Sequence, residues 1–366
     1  MRTAFKYIIA ALLINCQLSI FNHAKAQSDS TKSPLAFSGY LEAYYSYDFG
    51  QPADHNRPAF TYSHNRHNEI NLNLGFIKAA YQTQNVRANL SLATGTYMNA
   101  NYAAEPDVLK NIYEANAGVK ISKKKDLWID AGILPSHLGF ESAVGKDNWT
   151  LTRSIFADNS PYFETGAKIS YGSDNGKWFI SGLVLNGWQR IQRVDGNNTL
   201  AFGHQLTFKP NSKITLNSGS FIGNDKPDST KQMRYFHNLY GIFQINRNFA
   251  LTAGLDVGAE QKSKGSSDYN TWYTPVLIVR FSPDERQHIA ARVEYYSDEN
   301  GVIVSTGTPN GFKTWGYSLN YDYLILDNVM WRVEGRRFSS KDKVFTKEGS
   351  LSNNNFFLTT SLAISF

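Results

Sequence analysis

The sequence predicts an all-β chain, a transmembrane antiparallel up-and-down β-barrel of about sixteen strands. Three observations carry that prediction. Apolar and polar residues alternate with a period of two through most of the chain. The links between alternating segments are themselves alternately long and short. The chain ends on such a segment, "NFFLTTSLAISF" at 355–366, whose last residue is a phenylalanine.

The N-terminus reads as an export signal. Arg2 and Lys6 precede an apolar stretch from Tyr7, and Ala24-Lys25-Ala26 supplies a small-x-small cleavage site. Residues 1–26 are therefore a signal peptide and 27–366 the barrel domain. Cleavage removes Cys16, the only cysteine. No disulfide or thiolate chemistry is then available to the exported chain. It also removes Arg2, Lys6 and Lys25 but no acid, leaving 34 basic against 31 acidic side chains. A balance of +3 without a basic cluster excludes a nucleic-acid-binding class.

Strands follow from the alternation. "FALTAGLDVGAE" sets Leu251, Ala253, Leu255 and Val257 against Thr252, Gly254, Asp256 and Gly258. "IAARVEYY" sets Ile289, Ala291, Val293 and Tyr295 against Arg292 and Glu294. "VMWRVEGRRF" sets Val329, Trp331 and Val333 against Arg332, Glu334 and Arg336. One face suits lipid and the other water. Read this way, strands fall at 36–49, 67–83, 85–97, 111–122, 127–135, 160–171, 177–189, 199–209, 213–223, 232–246, 248–262, 270–281, 286–297, 311–325, 328–339 and 354–366. After the signal no stretch approaches the roughly 20 apolar residues of a membrane helix, so a membrane location requires a closed barrel.

Tight turns such as "TQN", "SKKKD", "GSDNG", "NRN" and "LDN" alternate with long links at 50–66, 98–110, 136–159, 190–198, 224–231, 263–269, 298–310 and 340–353. Outer-membrane barrels sort their connections in this way, with short periplasmic turns and long extracellular loops. An even strand number returns the last strand to the periplasmic side, where Phe366 joins an aromatic girdle. The 21 Tyr, 23 Phe and 7 Trp suit such girdles.

The segment "GILPSHLGFESAVGKDNWTLTRSIFADNSPYFETGAKISY" (132–171) carries a sharper likeness. Through Gly132, Pro135, Gly139, Glu141, Asn148, Arg153, Ser154, Ser160-Pro161-Tyr162 and Glu164-Thr165-Gly166 it resembles the β-barrel porin-2 (OmpL-like) family of Gram-negative outer membranes. The opening "FSGYLEAYYSYDF" (37–49) is similar to that family's first strand. The resemblance implies a water-filled channel for passive diffusion of small hydrophilic solutes, located in the outer membrane. A terminal aromatic also looks like the signal by which barrel-insertion machinery recognises its clients, which makes that machinery, through Phe366, an expected partner. Outer-membrane lipid and lipopolysaccharide are the expected surroundings, and the sequence leaves open whether three barrels associate as a homotrimer.

Candidate pore residues come from one loop and two strands. The 136–159 link is the longest internal one and carries Glu141, Lys146, Asp147, Arg153 and Asp158 among apolar residues. It reads either as a constriction loop folded into the lumen or as an extracellular loop packed on its neighbours. Arg292, Glu294, Arg332, Glu334 and Arg336 fall on the lumen face. They read either as mutually paired ions stiffening the wall or as a transverse field at the narrowest point. Asp54, His55, His64 and His67 form a weak metal-like pattern, and the reading assigns no metal and no cofactor. His204 and His237 lie on strands, where either could face the lumen. No G-x-S-x-G and no H-E-x-x-H occurs, so no catalytic residue is assigned. The competing class is a plugged outer-membrane barrel acting as an enzyme or adhesin.

Overall fold

The computed structural model describes residues 33–366, so the expected signal peptide at 1–26 and its cleavage site lie outside the described residues. The strands are β1 Leu35–Asp48, β2 Ile70–Gln82, β3 Val86–Thr94, β4 Ile112–Lys120, β5 Asp126–Pro135, β6 Phe163–Gly172, β7 Trp178–Leu185, β8 Ala201–Asn211 and β9 Ile214–Gly223. They continue with β10 Arg234–Gln244, β11 Phe249–Gln261, β12 Tyr269–Phe281, β13 Gln287–Asp298, β14 Phe312–Leu326, β15 Val329–Ser340, β16 Phe345–Lys347, β17 Ser350–Ser352 and β18 Asn354–Ser365. Each strand from β1 to β15 pairs with its sequence neighbour, and β18 joins β15 to β1, closing a barrel of sixteen antiparallel strands. β16 and β17 form a separate small hairpin in the last long link.

Closure leaves no free edge, so every strand finds ladder partners on both sides, as a hydrocarbon surrounding demands. The short turns are built by side-chain oxygens that accept backbone N–H groups two or three residues on. Asn246 Oδ1 accepts from Asn248 N (2.9 Å) and Phe249 N (3.0 Å). Asp284 Oδ1 accepts from Arg286 N (2.8 Å) and Gln287 N (2.9 Å). All such turns lie at one end of the barrel and all long loops at the other.

The alternation sorts the faces as expected. Outward stand Leu251, Leu255 and Val257 on β11, Ile289, Ala291 and Val293 on β13, and Phe356, Leu358, Leu362 and Ile364 on β18. Outward aromatics form contacting rows at both ends. Tyr273, Tyr295, Trp315 and Tyr317 touch near the long loops. Phe249–Phe281 and Tyr321–Trp331 touch near the turns. Phe366 exchanges backbone hydrogen bonds with Gly39 (2.7 and 3.0 Å), and its ring occupies the space a Cβ at position 39 would need. The terminal aromatic thus seals the seam of the barrel.

Most boundaries shift by one or two residues and four by three or more, one of them the start of β6 at Phe163 rather than 160. β2 starts at Ile70 rather than 67, because Asn68 takes a left-handed φ of 56°. β3 stops at Thr94 rather than 97. Gly95 turns there at φ 126°, against the Asn73 carbonyl, and starts the short helix Thr96–Asn101. β7 ends at Leu185 rather than 189, where the chain leaves the wall and Trp188 N–H donates to Asp225 Oδ1 (2.9 Å). The β16–β17 hairpin within 340–353 has too few alternating residues to register as strand.

Candidate functional site

The segment between β5 and β6 enters the barrel. Its course can be followed by the wall it touches. His137 bridges the Glu164 carboxylate on β6 (2.6 Å) and the Ser220 carbonyl on β9 (2.8 Å). Gly139 N–H donates to Asn238 Oδ1 on β10 (3.1 Å), and Phe140 packs edge-on against Tyr240. Trp149 lies under the Arg280 guanidinium of β12, at 4.5 Å. Lys146 N–H reaches the Tyr40 hydroxyl of β1 (3.3 Å). Of the two sequence readings of this link, the folded conformation is the inward one.

The tightest attachment is to β13, β14 and β15. Arg292 donates to Thr150 Oγ1 (2.8 Å), the Thr152 carbonyl (2.7 Å) and Glu334 (2.8 Å). Glu334 accepts from Thr152 N (2.5 Å) and Thr152 Oγ1 (2.8 Å). Glu294 accepts from Ile155 N (2.6 Å) and from Arg336, which also donates to the Arg153 carbonyl (2.6 Å). Arg332 is held by Asp322 (2.7 Å) and donates to the carbonyls of Gly145 (2.6 Å) and Asn148 (2.9 Å). Asn320 Oδ1 takes the Leu151 N–H (3.0 Å). These wall groups satisfy loop backbone that has no helix or strand partner of its own.

The predicted residues are thus brought together, with distinct placements. Arg292, Glu294, Arg332, Glu334 and Arg336 face inward and are sealed between wall and loop, each at most 3% exposed. Arg153 turns back on its own loop, donating to the carbonyls of Ala143 (2.8 Å) and Leu151 (2.9 Å). Glu141 receives Ser154 through both its backbone N–H and its hydroxyl, so Arg153 and Glu141 set the internal fold of the loop. Ser154 also caps the short helix Ile155–Asp158 by accepting from Ala157 N–H. Asp158 receives the Ser63 hydroxyl from the β1–β2 loop (3.3 Å). Lys146 and Asp147 stay half-exposed at the tip.

The opposite wall carries charges that the sequence reading did not single out. Lys78 pairs with Glu114 (2.6 Å) and Arg87 with Asp130 (2.5 Å), on inward positions of β2–β5. Lys120 on β4 and Lys168 on β6 are inward and half-exposed. Alternation marks these positions as it marks the β13–β15 set; what singled out the latter was charge density in one short run.

His204 and His237 face lipid, since the register aligns both with Ser220 on the outer surface. His204 contacts Ser220 Oγ (2.5 Å) and Ser218 Oγ (3.3 Å), and Ser218 also contacts His237 (3.2 Å). The four groups satisfy one another, which a polar group in hydrocarbon requires. Around the β1–β2 loop, His67 accepts from Asp48 N–H (2.8 Å), His55 contacts the His67 carbonyl (3.2 Å) and His64 lies 3.4 Å from Glu42. These imidazoles serve separate partners, and no cluster of three metal-binding side chains occurs among the described residues.

A closed sixteen-strand barrel with sorted loops, aromatic girdles and an inward loop after β5 defines the class of outer-membrane porins. Residues 34–366 match the family described as "putative beta-barrel porin-2, OmpL-like", and the chain belongs to that family. Solved structures of the same fold include OmpT, an outer membrane protein of Vibrio cholerae, in trimer form (10% identity, TM-score 0.59, 91% of this chain and 99% of that chain). An anion-selective porin from Comamonas acidovorans (8%, 0.60, 91% and 99%) and the outer membrane channel DcaP of Acinetobacter baumannii (9%, 0.54, 91% and 97%) share it too. No curated protein matches the chain in sequence. Family and fold point to a channel rather than an enzyme.

Proposed function

We propose that the 136–162 loop is the constriction of this porin, and that Arg292, Glu294, Arg332, Glu334 and Arg336 act as its mount. Small hydrophilic solutes then diffuse passively along the other side of the loop, past Lys146 and Asp147 and the β2–β6 wall. The observation that carries this reading is the asymmetry of exposure among the cations. On β13–β15 the inward arginines are sealed at 0–3%, whereas the Lys78 and Arg87 side chains retain 28% and 18% beside the buried Glu114 and Asp130. Glu141 and Arg153 shape the loop, and Asp158 ties it to the β1–β2 loop. In this reading the long loops face outward and the turns face the periplasm. Outer-membrane lipid and lipopolysaccharide surround the belt, and the insertion machinery reads the strand ending in Phe366. Assembly as a homotrimer fits the reading, since the Vibrio cholerae neighbour is described as a trimer.

A plugged barrel is the second reading. Beside the loop, Phe60 and Phe345 from two long links pack on Phe312 of β14 and Phe338 of β15 at the long-loop end of the barrel. Single-channel recording of the purified protein in a planar bilayer separates the two. Discrete steps of constant size support the porin. Stable insertion without current supports the plug.

A further inference from the structure

The acids and the cations of the β2–β6 wall are not equally available to a passing solute. Lys78, Arg87, Lys120 and Lys168 occupy inward positions and stay partly exposed. The inward carboxylates beside them are spent. Glu114 accepts Lys78 Nζ on one oxygen (2.6 Å) and Asn116 Nδ2 on the other (3.0 Å). Asp130 accepts Arg87 Nε (2.6 Å) and Nη2 (2.5 Å), one on each oxygen. Gly118 leaves room for that clamp, since a Cβ there would stand 2.1 Å from Asp130 Oδ1. Both acids are at most 5% exposed. Glu164 is sealed under the loop on His137, and on the facing wall Asp322 is sealed on Arg332. Among the described residues, Asp126 is the one inward acid of β2–β6 that keeps partial exposure, and it accepts the Trp128 indole N–H (2.7 Å).

The cations divide differently. Lys78 and Arg87 are each paired, but neither Lys120 nor Lys168 enters an ion pair among the described residues, and neither ammonium is sealed from solvent. Lys168 stands opposite Asp130 in register, yet both oxygens of that carboxylate already lie on Arg87, so two cations share one anion. Lys120 stands opposite Trp128, whose ring carries the Arg87 guanidinium at 4.3 Å. The register therefore sets two free ammoniums on either side of β5, one on β4 and one on β6, at its inward positions 128 and 130. A mobile cation entering here finds no bare carboxylate oxygen on Glu114 or Asp130. A mobile anion finds two ammoniums that give up only water to receive it. We infer that the solute path prefers anions, and that Lys120 and Lys168 are the groups that exchange water for a small anion such as phosphate or a carboxylate. The local field of available charge decides this preference, not the small net charge of the chain. The inference names the solute class of the proposed channel and rests on the porin reading.

The test is the reversal potential of the purified channel in a potassium chloride gradient across a planar bilayer. The anion-to-cation permeability ratio exceeds one, and it falls several-fold when Lys120→Gln and Lys168→Gln are combined. The gel shift of the heated barrel stays as in wild type, because neither lysine holds a partner. Each single substitution moves the ratio the same way by less, and reads the site if the double variant does not fold. A ratio at or below one, or a ratio that these substitutions leave unmoved, overturns the inference and leaves the porin reading standing. Where no current flows, a second measurement decides. Inorganic phosphate is mixed with the detergent-solubilised protein and the width of its phosphorus NMR line is followed. Broadening by wild type that the double variant abolishes sinks the porin reading alone and keeps the anion site. A line that stays narrow, or broadens equally with both proteins, sinks the two together.

Discussion

The inner walls of β13–β15 and of β2–β5 obey the same rule and end in opposite states. Both put charges on alternate, inward positions of antiparallel strands. On β13–β15, each charge finds both a counter-ion and loop backbone, and water is excluded. On β2–β5 the cations Lys78 and Arg87 stay partly wet while their partners Glu114 and Asp130 are buried. The difference lies in what covers them. A strand decides which way a side chain points; on β13–β15 the arriving loop desolvates both members of each pair, whereas on β2–β5 strand neighbours bury only the acids. Desolvation then changes what the charge does: a half-wet pair contributes about 0–1 kcal/mol, whereas breaking a buried one costs about 3–5 kcal/mol.

The largest expected effect therefore comes from breaking the sealed wall. Glu334→Ala takes from Arg292 its nearest counter-ion (2.8 Å), leaving Glu294 at 3.4 Å, and removes the acceptor for both Thr152 groups. Thermal unfolding, followed by the gel shift of the heated barrel, moves down by several degrees, consistent with a cost of about 3 kcal/mol or more. Single-channel conductance rises several-fold as the loop loosens. A variant with unchanged steps and unchanged unfolding would show that the network is not the mount. Arg332→Lys ranks second. It keeps the charge near Asp322 but cannot also reach both the Gly145 and Asn148 carbonyls. Open-channel current noise increases, with a mean conductance near that of wild type.

Much of this was legible in the sequence. A period of two with one apolar face defines a barrel strand, so the strand count and the inward direction of Arg292, Glu294, Arg332, Glu334 and Arg336 followed. The same rule, applied to "Phe202-x-His204-x-Leu206-x-Phe208", places His204 on the lipid face, where the register has it. A polar residue on an apolar face is the harder pattern to trust, because its compensation comes from other strands, here Ser218 and Ser220. The mount was not legible at all. Its acceptors are backbone carbonyls of Gly145, Asn148, Thr152 and Arg153, and a carbonyl has no sequence signature. The free ammoniums of Lys120 and Lys168 are hidden for a related reason, since a cation stays free only where the nearby carboxylates are already taken.

A contact on the third wall calibrates the comparison. Asn238→Ala removes the acceptor for Gly139 N–H in the loop's entry limb and, within the wall, the donor to Asp256 on β11 (2.6 Å). The expected cost is about 1–3 kcal/mol, below that of Glu334→Ala. The accompanying change in conductance is smaller as well. Chemical denaturation at matched detergent concentration measures the ranking. Equal losses for the two variants would mean that the loop is held evenly around the lumen.

The smallest structural effect belongs to the wet wall, and there it separates stability from selectivity. Lys78→Gln removes a partly exposed cation from the buried Glu114 carboxylate, which keeps the Asn116 amide (3.0 Å). Stability falls by less than for Glu334→Ala, because solvent already reaches Lys78 and the glutamine can still donate to Glu114. The charge beside the proposed path nevertheless falls by one and leaves the Glu114 carboxylate uncompensated. In a salt gradient the reversal potential therefore shifts toward cation preference, and the shift shrinks at high ionic strength as screening shortens the reach of the carboxylate. Glu114→Gln moves it the opposite way. Two substitutions that cost less in unfolding than Glu334→Ala while displacing the reversal potential in opposite directions would place the solute path along β2–β6. A reversal potential indifferent to both would move the path elsewhere in the barrel, even if the loop is mounted on β13–β15 as described.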